Sequence, residues 1–218
     1  MKTYFKPVLI SSVLGLALGM SACSEARTAD KNAADQVSAA AAPAAAPIAG
    51  SIAAANWDIQ ADSSHIRFTA KQEGSPFSGE FQVFSGIINF DPAAPQNGSV
   101  KITVPLKSVD AGSNDRNSTL PGKVWFSAKA FPEAVYTSTD ISQDGDGYIA
   151  KGELTLKGLS VPLDIPFNLD INADTAVMTG AVEMDRTQWN VGAAPWDTDE
   201  WVSKSVSLDL QVTAKKLN

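Results

Sequence analysis

The side chains that most often carry out catalysis are scarce in this sequence. His65 is the only histidine and Cys23 is the only cysteine. His65 falls on the polar face of an alternating segment, so a Ser-His-Asp triad is not indicated, and chemistry that pairs cysteine with histidine is excluded. One histidine and one cysteine are also too few to supply the usual ligands of a zinc or copper site. We therefore predict no catalytic residues and no metal site.

Carboxylates are the remaining groups with catalytic potential. Asp197, Asp199 and Glu200 lie close together in the sequence, but acids in a polar loop are usually solvated, and we interpret them in that way. No glycine-rich phosphate loop follows a predicted strand and opens a helix. We therefore expect a protein that is not an enzyme and that carries no cofactor.

One segment approaches the spacing of an EF-hand calcium loop. It runs from Ser142 through Asp144, Asp146 and Gly147 to Glu153 in the twelfth place. Serine stands at the first position, where aspartate is expected, and the flanking segments alternate as strands rather than helices. We interpret the glycines as a hairpin turn and expect no calcium binding.

Residues 77–92 are the element around which the chain is organised. They are rich in aromatic and β-branched residues, and Asp91-Pro92 ends the run, so they predict a strand. This strand would run roughly 50 Å at ~3.3 Å per residue, and Gly79 and Gly86 lie where it could bend or bulge. A long, bent strand with an apolar side indicates a closed barrel; the alternative is a sandwich strand followed by its loop.

Alternation of apolar and polar residues predicts strands throughout the domain. The eight predicted strands are residues 64–71, 77–91, 100–107, 134–141, 148–157, 161–171, 176–185 and 206–213. One or two short helices are expected near 114–120. The predicted fold class is therefore all-β, an eight-stranded antiparallel barrel that is either packed solid or holds one small ligand.

The same alternation assigns one face of each strand to the barrel interior. The side chains predicted to lie inside are Phe68, Phe81, Val83, Ile102, Val104, Leu106, Leu154, Leu156, Leu163, Ile165, Phe167, Leu208 and Leu210.

Residues 1–22 have the features of a signal peptide. Lys2 and Lys6 precede an apolar run at 8–18 that is too short to span a bilayer. The segment ends in Met-Ser-Ala-Cys, which resembles the lipobox of bacterial lipoproteins, in which the cysteine is acylated. The resemblance implies that Cys23 is lipidated and, because serine follows it, that the protein is anchored to the outer membrane. The alternative is an ordinary cleaved signal peptide.

The rest of the chain divides into a tether and one domain. Residues 23–56 are rich in alanine, interrupted by Pro43 and Pro47, and predict a flexible spacer. Residues 57–218 are long enough to form one domain with its own core. The chain has a formal charge of −7, which argues against binding to nucleic acid and to anionic lipid.

An ordered set of short motifs resembles the YceI-like polyisoprenoid-binding family, in the branch associated with membrane b-type cytochromes. The motifs are Trp57-Asp58-Ile59, His65-Ile66-Arg67-Phe68, Phe77-Ser78-Gly79-Glu80-Phe81, Ile88-Asn89-Phe90-Asp91-Pro92, Ser108-Val109-Asp110-Ala111-Gly112, Trp125-Phe126, Gly152-Glu153-Leu154-Thr155-Leu156-Lys157-Gly158 and Trp189-Asn190-Val191-Gly192. Many members carry a histidine where Gln72 stands, and another where this chain has Thr119.

The resemblance implies a lipocalin-like barrel in the bacterial periplasm, with an apolar tunnel that holds an isoprenoid tail. It adds Trp125, Phe126 and Trp189 to the expected ligand contacts. Arg116 and Arg186 are the candidate cations for a polar head group at the tunnel mouth, although either could be a structural ion-pair partner instead.

Three functions follow as expectations. The first is a carrier or store for an isoprenoid lipid such as a quinone or a polyprenyl phosphate. The second is a redox accessory protein that docks on a membrane b-type cytochrome or delivers quinone to it. The third is a structural lipoprotein with a solid core and no ligand.

Overall fold

The computed structural model describes residues 56–217. The predicted signal peptide, Cys23 and almost all of the predicted tether lie outside the described residues, as does Asn218. Those predictions therefore stay predictions.

Twelve strands and one α-helix form within this part of the chain. The strands are β1 (Trp57–Ile59), β2 (His65–Gln72), β3 (Ser75–Phe81), β4 (Ser85–Asn89), β5 (Ser99–Pro105), β6 (Val109–Asp110), β7 (Glu133–Asp144), β8 (Gly147–Leu156), β9 (Leu159–Pro162), β10 (Ile165–Asn172), β11 (Thr175–Asp185) and β12 (Ser205–Lys216). The helix is α1 (Asn114–Thr119), and 3₁₀ turns form at Ala61–Ser63, Pro95–Asn97, Leu106–Ser108 and Arg186–Trp189.

Eight of these strands close into an antiparallel barrel. Their order around it is β1-β4-β5-β7-β8-β10-β11-β12, and β12 pairs with β1 to complete the ring. Strands β2, β3 and β6 continue the sheet beyond β1, β4 and β5, and β9 pairs with the far end of β8. The predicted eight-stranded antiparallel barrel is confirmed, and each of the eight predicted segments overlaps the observed strands.

Three neighbouring strands break at one level of the barrel. The breaks are Ala61–Ser63 between β1 and β2, residues 82–84 between β3 and β4, and Leu106–Ser108 between β5 and β6. The backbone N–H of Gln82 donates to the carbonyl of Ser108 at 2.9 Å, which links two of the breaks. The expected single strand over 77–91 is therefore two strands that pair with different partners.

The inward-facing positions change parity at the break between β3 and β4. Phe81 faces inward from β3 and Ile88 faces inward from β4. The residues that face the interior are therefore odd-numbered in β3 and even-numbered in β4. Gly79 and Gly86, where the strand could bend, lie within β3 and β4, and the break falls between them at residues 82–84. A Cβ at Gly79 would lie 2.5 Å from Phe68 Cζ and 2.6 Å from the Asp110 carbonyl oxygen, so a close approach explains the glycine there.

The barrel interior is not one continuous packed core. Its buried residues form four clusters, and interior side chains such as Leu208 and Leu210 are only partly buried. Side chains that face inward but retain accessible surface must border open space. The clusters therefore line a hollow.

Candidate ligand-binding tunnel

Two apolar cavities lie end to end inside the barrel. The upper cavity, of about 170 Å³, is bordered by the end of the barrel that contains Trp57 and Phe90. The lower cavity, of about 150 Å³, is bordered by Trp125 and Arg186. The cavities share part of their walls, so we describe them as one tunnel.

The shared wall is a ring of five apolar side chains, which we call the waist. It consists of Ile66 from β2, Val104 from β5, Ala134 from β7, Leu154 from β8 and Leu208 from β12. These strands approach the tunnel from different sides of the barrel. A ligand that occupied both cavities would pass through this ring.

Among residues 56–217, Tyr136 supplies the only hydroxyl group on the wall of the upper cavity. Its hydroxyl donates to the carbonyl oxygen of Ala150 at 2.8 Å. Burial raises the pKa of the Tyr136 phenol, with a smaller contribution from the negative charge of Asp164, so the group stays neutral at physiological pH. The remaining lining of this cavity is apolar, which suits a hydrocarbon chain.

Aromatic side chains fill the upper end of the tunnel. The rings of Phe90 and Tyr148 meet edge to face at 5.3 Å, and those of Tyr148 and Phe167 stack at 5.4 Å. Trp57 is 6% exposed, and its Nε1 donates to the Phe90 carbonyl at 3.0 Å. This hydrogen bond and the ring contacts hold the aromatic end together.

Arg186 forms part of the wall of the lower cavity and is 4% exposed. Its Nε donates to the Ser203 carbonyl at 2.9 Å, and its Nη1 donates to the carbonyls of Val191 and Gly192. Its Nη2 donates to the carbonyls of Trp196 and Val202. Each guanidinium nitrogen is thus committed to backbone oxygens of residues 191–203, so Arg186 fastens that loop to the barrel.

The electrostatics of Arg186 differ from those of a surface arginine. Burial lowers its pKa, while the charges of Asp185, Asp199 and Asp197 act in the opposite direction. An arginine nevertheless stays charged at any physiological pH. Among the described residues no carboxylate lies within ion-pair distance of it, so the alternative of an ion-pair partner is wrong for Arg186. Its structural partners are carbonyls.

Arg116, the other candidate cation, does not line either cavity. Its Nε donates to the Ala111 carbonyl at 2.7 Å and its Nη1 to Gln72 Oε1 at 3.3 Å. Its guanidinium lies 4.7 Å from the ring centre of Phe77, which lines the lower cavity. Arg116 therefore lies one side chain behind the tunnel wall.

Most of the residues expected to contact a ligand line the tunnel. Fourteen of the sixteen are found there, namely Phe68, Phe81, Ile102, Val104, Leu106, Trp125, Phe126, Leu154, Leu156, Leu163, Ile165, Phe167, Leu208 and Leu210. Their role in binding stays a prediction.

Val83 and Trp189 are the two exceptions. The prediction that Val83 faces inward is wrong: it is 56% exposed because it lies in the break between β3 and β4, and Phe84 packs against the core instead. Trp189 is 1% exposed and its Nε1 donates to the Leu154 carbonyl at 2.8 Å. It packs behind the wall and supports the waist from outside the tunnel.

Several lining residues were absent from the predicted set. Ile66 and Val100 lie on inward faces that the alternation already identifies, so this signal could have found them. Trp57 lies in a strand of only three residues, and Tyr136 lies in a weakly alternating one. Sequence periodicity is a poor guide to such positions.

His65 and the carboxylates of the segment that resembles a calcium loop lie away from the tunnel. His65 Nε2 pairs with Asp209 Oδ1 at 3.0 Å across β2 and β12. The segment from Ser142 to Glu153 forms the hairpin of β7 and β8, with a turn at Gly145 (φ +58°). Within residues 56–217, no cluster of His, Cys, Asp and Glu side chains is placed to hold a metal, and no helix is long and apolar enough to cross a membrane.

Comparisons with known sequences identify relatives across the barrel. A family model described as a YceI-like domain matches residues 57–214. A UPF0312 protein of Photorhabdus laumondii is 34% identical over 116 residues, which cover 52% of this chain and 60% of that protein. A UPF0312 protein of Yersinia pestis is 35% identical over 122 residues, which cover 55% and 64%. The aligned part thus spans less than two thirds of these relatives.

Solved structures share the fold. BcnA of Burkholderia cenocepacia superposes with a TM-score of 0.70 at 31% identity, covering 72% of this chain and all of that one. A polyisoprenoid binding domain of Saccharophagus degradans gives 0.58 at 15% identity, covering 75% and 99%. The YCEI protein of Campylobacter jejuni gives 0.58 at 20% identity, covering 64% and 85%. The last two likenesses concern the fold alone.

Proposed function

The chain belongs to the YceI-like domain family, and we propose that its barrel binds the apolar tail of an isoprenoid lipid. The observation that carries this proposal is the tunnel of two adjoining cavities, with an almost entirely apolar wall. Dry apolar cavities of this kind take up apolar molecules rather than water. A structural lipoprotein with a solid core would not have such a tunnel.

One structural neighbour supports the chemical class of the ligand. The Saccharophagus degradans domain of the same fold is named as a polyisoprenoid binding domain. The tunnel of this chain suits such a tail because its two cavities adjoin and their walls are almost entirely apolar. We therefore choose an isoprenoid over a compact apolar ligand.

The cavity volumes set the length of tail that the tunnel can hold as it stands. A cavity of about 150 Å³ holds one benzene-sized group. The upper cavity of about 170 Å³ and the lower cavity of about 150 Å³ would then hold about two to three isoprene units. A longer tail would have to move side chains or extend beyond the tunnel.

The lower end is where the polar head would lie. The upper end is filled by the aromatic cluster around Trp57 and Phe90. The hydrogen-bond donors of Arg186 are committed to backbone carbonyls, so this cation contributes its charge rather than a hydrogen bond. We propose that selection acts on the tail more than on the head, whether that head is a quinone or a phosphate.

A carrier or store for such a lipid would lie in the bacterial periplasm. This part of the proposal rests on the sequence of residues 1–22 and on Cys23, which would anchor the protein to the outer membrane. A negatively charged domain on an acylated tether would remain near the membrane without electrostatic attraction to anionic lipid.

The test combines extraction with a chain-length series. Purified protein is extracted with organic solvent, and the extract is analysed by mass spectrometry for an isoprenoid. Quinones with one head group and increasing tails are then titrated into delipidated protein. We expect affinity to rise with each isoprene unit and to level off after about two to three. Affinity that does not change with tail length would contradict tunnel binding.

A further inference from the structure

Three tryptophans form a continuous file from the lower cavity to the protein surface. Trp125 lines the cavity, its ring centre lies 6.2 Å from that of Trp196, and Trp196 lies 6.5 Å from Trp201. Trp196 is 36% exposed and Trp201 is 43% exposed, and Val124, which precedes Trp125, is 40% exposed. We call the surface formed by Val124, Trp196 and Trp201 the aromatic lip.

The backbone of the lip is held in place from two sides. Arg186 donates to the carbonyl oxygen of Trp196, and the backbone N–H of Glu73 donates to that of Trp201 at 2.8 Å. The carbonyl of Val124 accepts from Lys157 Nζ at 2.9 Å. The lip is therefore a fixed apolar surface beside the tunnel, in contrast to a loop that could fold its tryptophans away from water.

The charges beside the lip restrict what it can contact. Asp197, Asp199 and Glu200 lie between the two exposed tryptophans in the sequence, and all three are exposed. Cations lie beside them: Lys123 precedes Val124, Lys157 Nζ contacts the Val124 carbonyl, and the backbone N–H of Lys204 donates to Asp199. The opposite charges offset each other, so the surface offers no net attraction to anionic head groups. Tryptophan itself is favoured at the boundary between hydrocarbon and water, where its ring is apolar and its N–H reaches polar groups.

We propose that the aromatic lip docks on a lipid surface with zwitterionic head groups. The lip is continuous with the wall of the lower cavity through Trp125 and Val202. Docking there would place the tunnel against the hydrocarbon of the lipid surface. An isoprenoid tail could then enter the tunnel without crossing water. The transfer of a tail rests on the proposed function, whereas the docking itself does not.

Flotation of the full chain with phosphatidylcholine vesicles tests the proposal. The double variant Trp196→Ser/Trp201→Ser is compared with Ile87→Ser/Ile171→Ser, whose isoleucines are 41% and 37% exposed but lie on β4 and β10. All proteins carry Cys23→Ser, so no acyl chain anchors them to the vesicles and a difference between them reports on the lip. We expect vesicle binding to fall about tenfold in the tryptophan variant and to be unchanged in the isoleucine variant.

Two further measurements complete the test. Adding phosphatidylglycerol should not strengthen binding of the wild type, and phosphatidylcholine with brominated acyl chains should quench its tryptophan fluorescence. Equal binding of both double variants, or stronger binding with phosphatidylglycerol, would overturn the proposal. A loss seen only with native membranes, and not with protein-free vesicles, would assign the lip to a protein partner and also overturn it.

Ligand loading separates this inference from the proposed function. A short-tailed quinone is titrated in solution, without vesicles, into the wild type and both double variants. Normal loading with lost flotation supports the lip. Absent loading in all three proteins contradicts the proposed function, and the flotation result still decides the docking.

Discussion

Leu208→Trp should block the tunnel at its waist. Leu208 borders both cavities from β12, so a larger side chain at this position would separate them. A tail could then reach only the lower cavity. The change fills existing space, and we therefore expect a smaller loss of stability than the ~1–3 kcal/mol typical of overpacking a filled core.

The size of the effect follows from the volume that is closed off. The upper cavity of about 170 Å³ has room for about seven carbon atoms at the packing of a benzene-sized group in 150 Å³. At ~0.8 kcal/mol per buried methylene, these contribute roughly 6 kcal/mol to binding. The cost of ordering the tail offsets part of this. We expect a net loss of about 3 kcal/mol, which raises the Kd about a hundredfold.

The assay is the quinone series, titrated into delipidated protein. Its matched control is Ser207→Trp, which places the same indole on the exposed outer face of β12, one residue away. Affinity of Leu208→Trp should level off after about one isoprene unit, while Ser207→Trp should follow the wild type. Ala134→Leu narrows the same ring from β7 and serves as a second variant if Leu208→Trp does not fold. Long tails that bind folded waist variants as tightly as the wild type would refute the tunnel.

Three further predictions concern stability and attachment. Arg186→Met should lower the free energy of unfolding in urea by about 3 kcal/mol or more because it leaves buried carbonyls unpaired. The control Arg67→Met removes the exposed ion pair with Glu80 and should lower it by less than about 1 kcal/mol. Equal losses in the two variants would contradict the role of Arg186. The Thr187 hydroxyl lowers the pKa of Asp185, so this carboxylate stabilises the fold above its unfolded pKa of about 3.9, and the contribution is lost as pH falls below that value. Asp185→Asn should therefore reduce the fall in the free energy of unfolding, measured in urea, between about pH 4 and pH 2. An unchanged dependence of that free energy on pH would contradict the assignment. Cys23→Ser should release the protein from the membrane fraction or leave its precursor uncleaved, and a variant of wild-type size that stays bound would contradict lipidation.

The strand pattern could be predicted because alternation reports which face of a strand is dry. Residues 206–213 of β12 alternate without interruption, and their apolar members border the tunnel as expected. The break between β3 and β4 could not be predicted, because an apolar residue at Val83 continues the pattern while the chain changes partners. A parity change of this kind depends on the neighbouring strands.

The tunnel itself also lies beyond what periodicity can show. Alternation assigns Leu163 and Leu208 to the interior, but whether side chains from opposite walls meet depends on barrel diameter. The role of Arg186 could not be predicted either, because its hydrogen bonds go to carbonyls of residues distant in the sequence, such as Val202 and Ser203. The residues alone therefore leave a packed barrel and a hollow barrel as alternatives.

The short strand β1 determines how the barrel responds to mechanical load. Any tension carried by the preceding chain reaches the barrel at Asn56, whose side chain exchanges two hydrogen bonds with the backbone of Phe90. Beyond it, β1 is held by three paired positions on β12 and one on β4. Pulling on the N-terminal segment would therefore peel away the strand that closes the ring and disturb the aromatic end of the tunnel first. In a protein that moves on a tether, the drag force would therefore act on the pairing of β1 with β12 and β4.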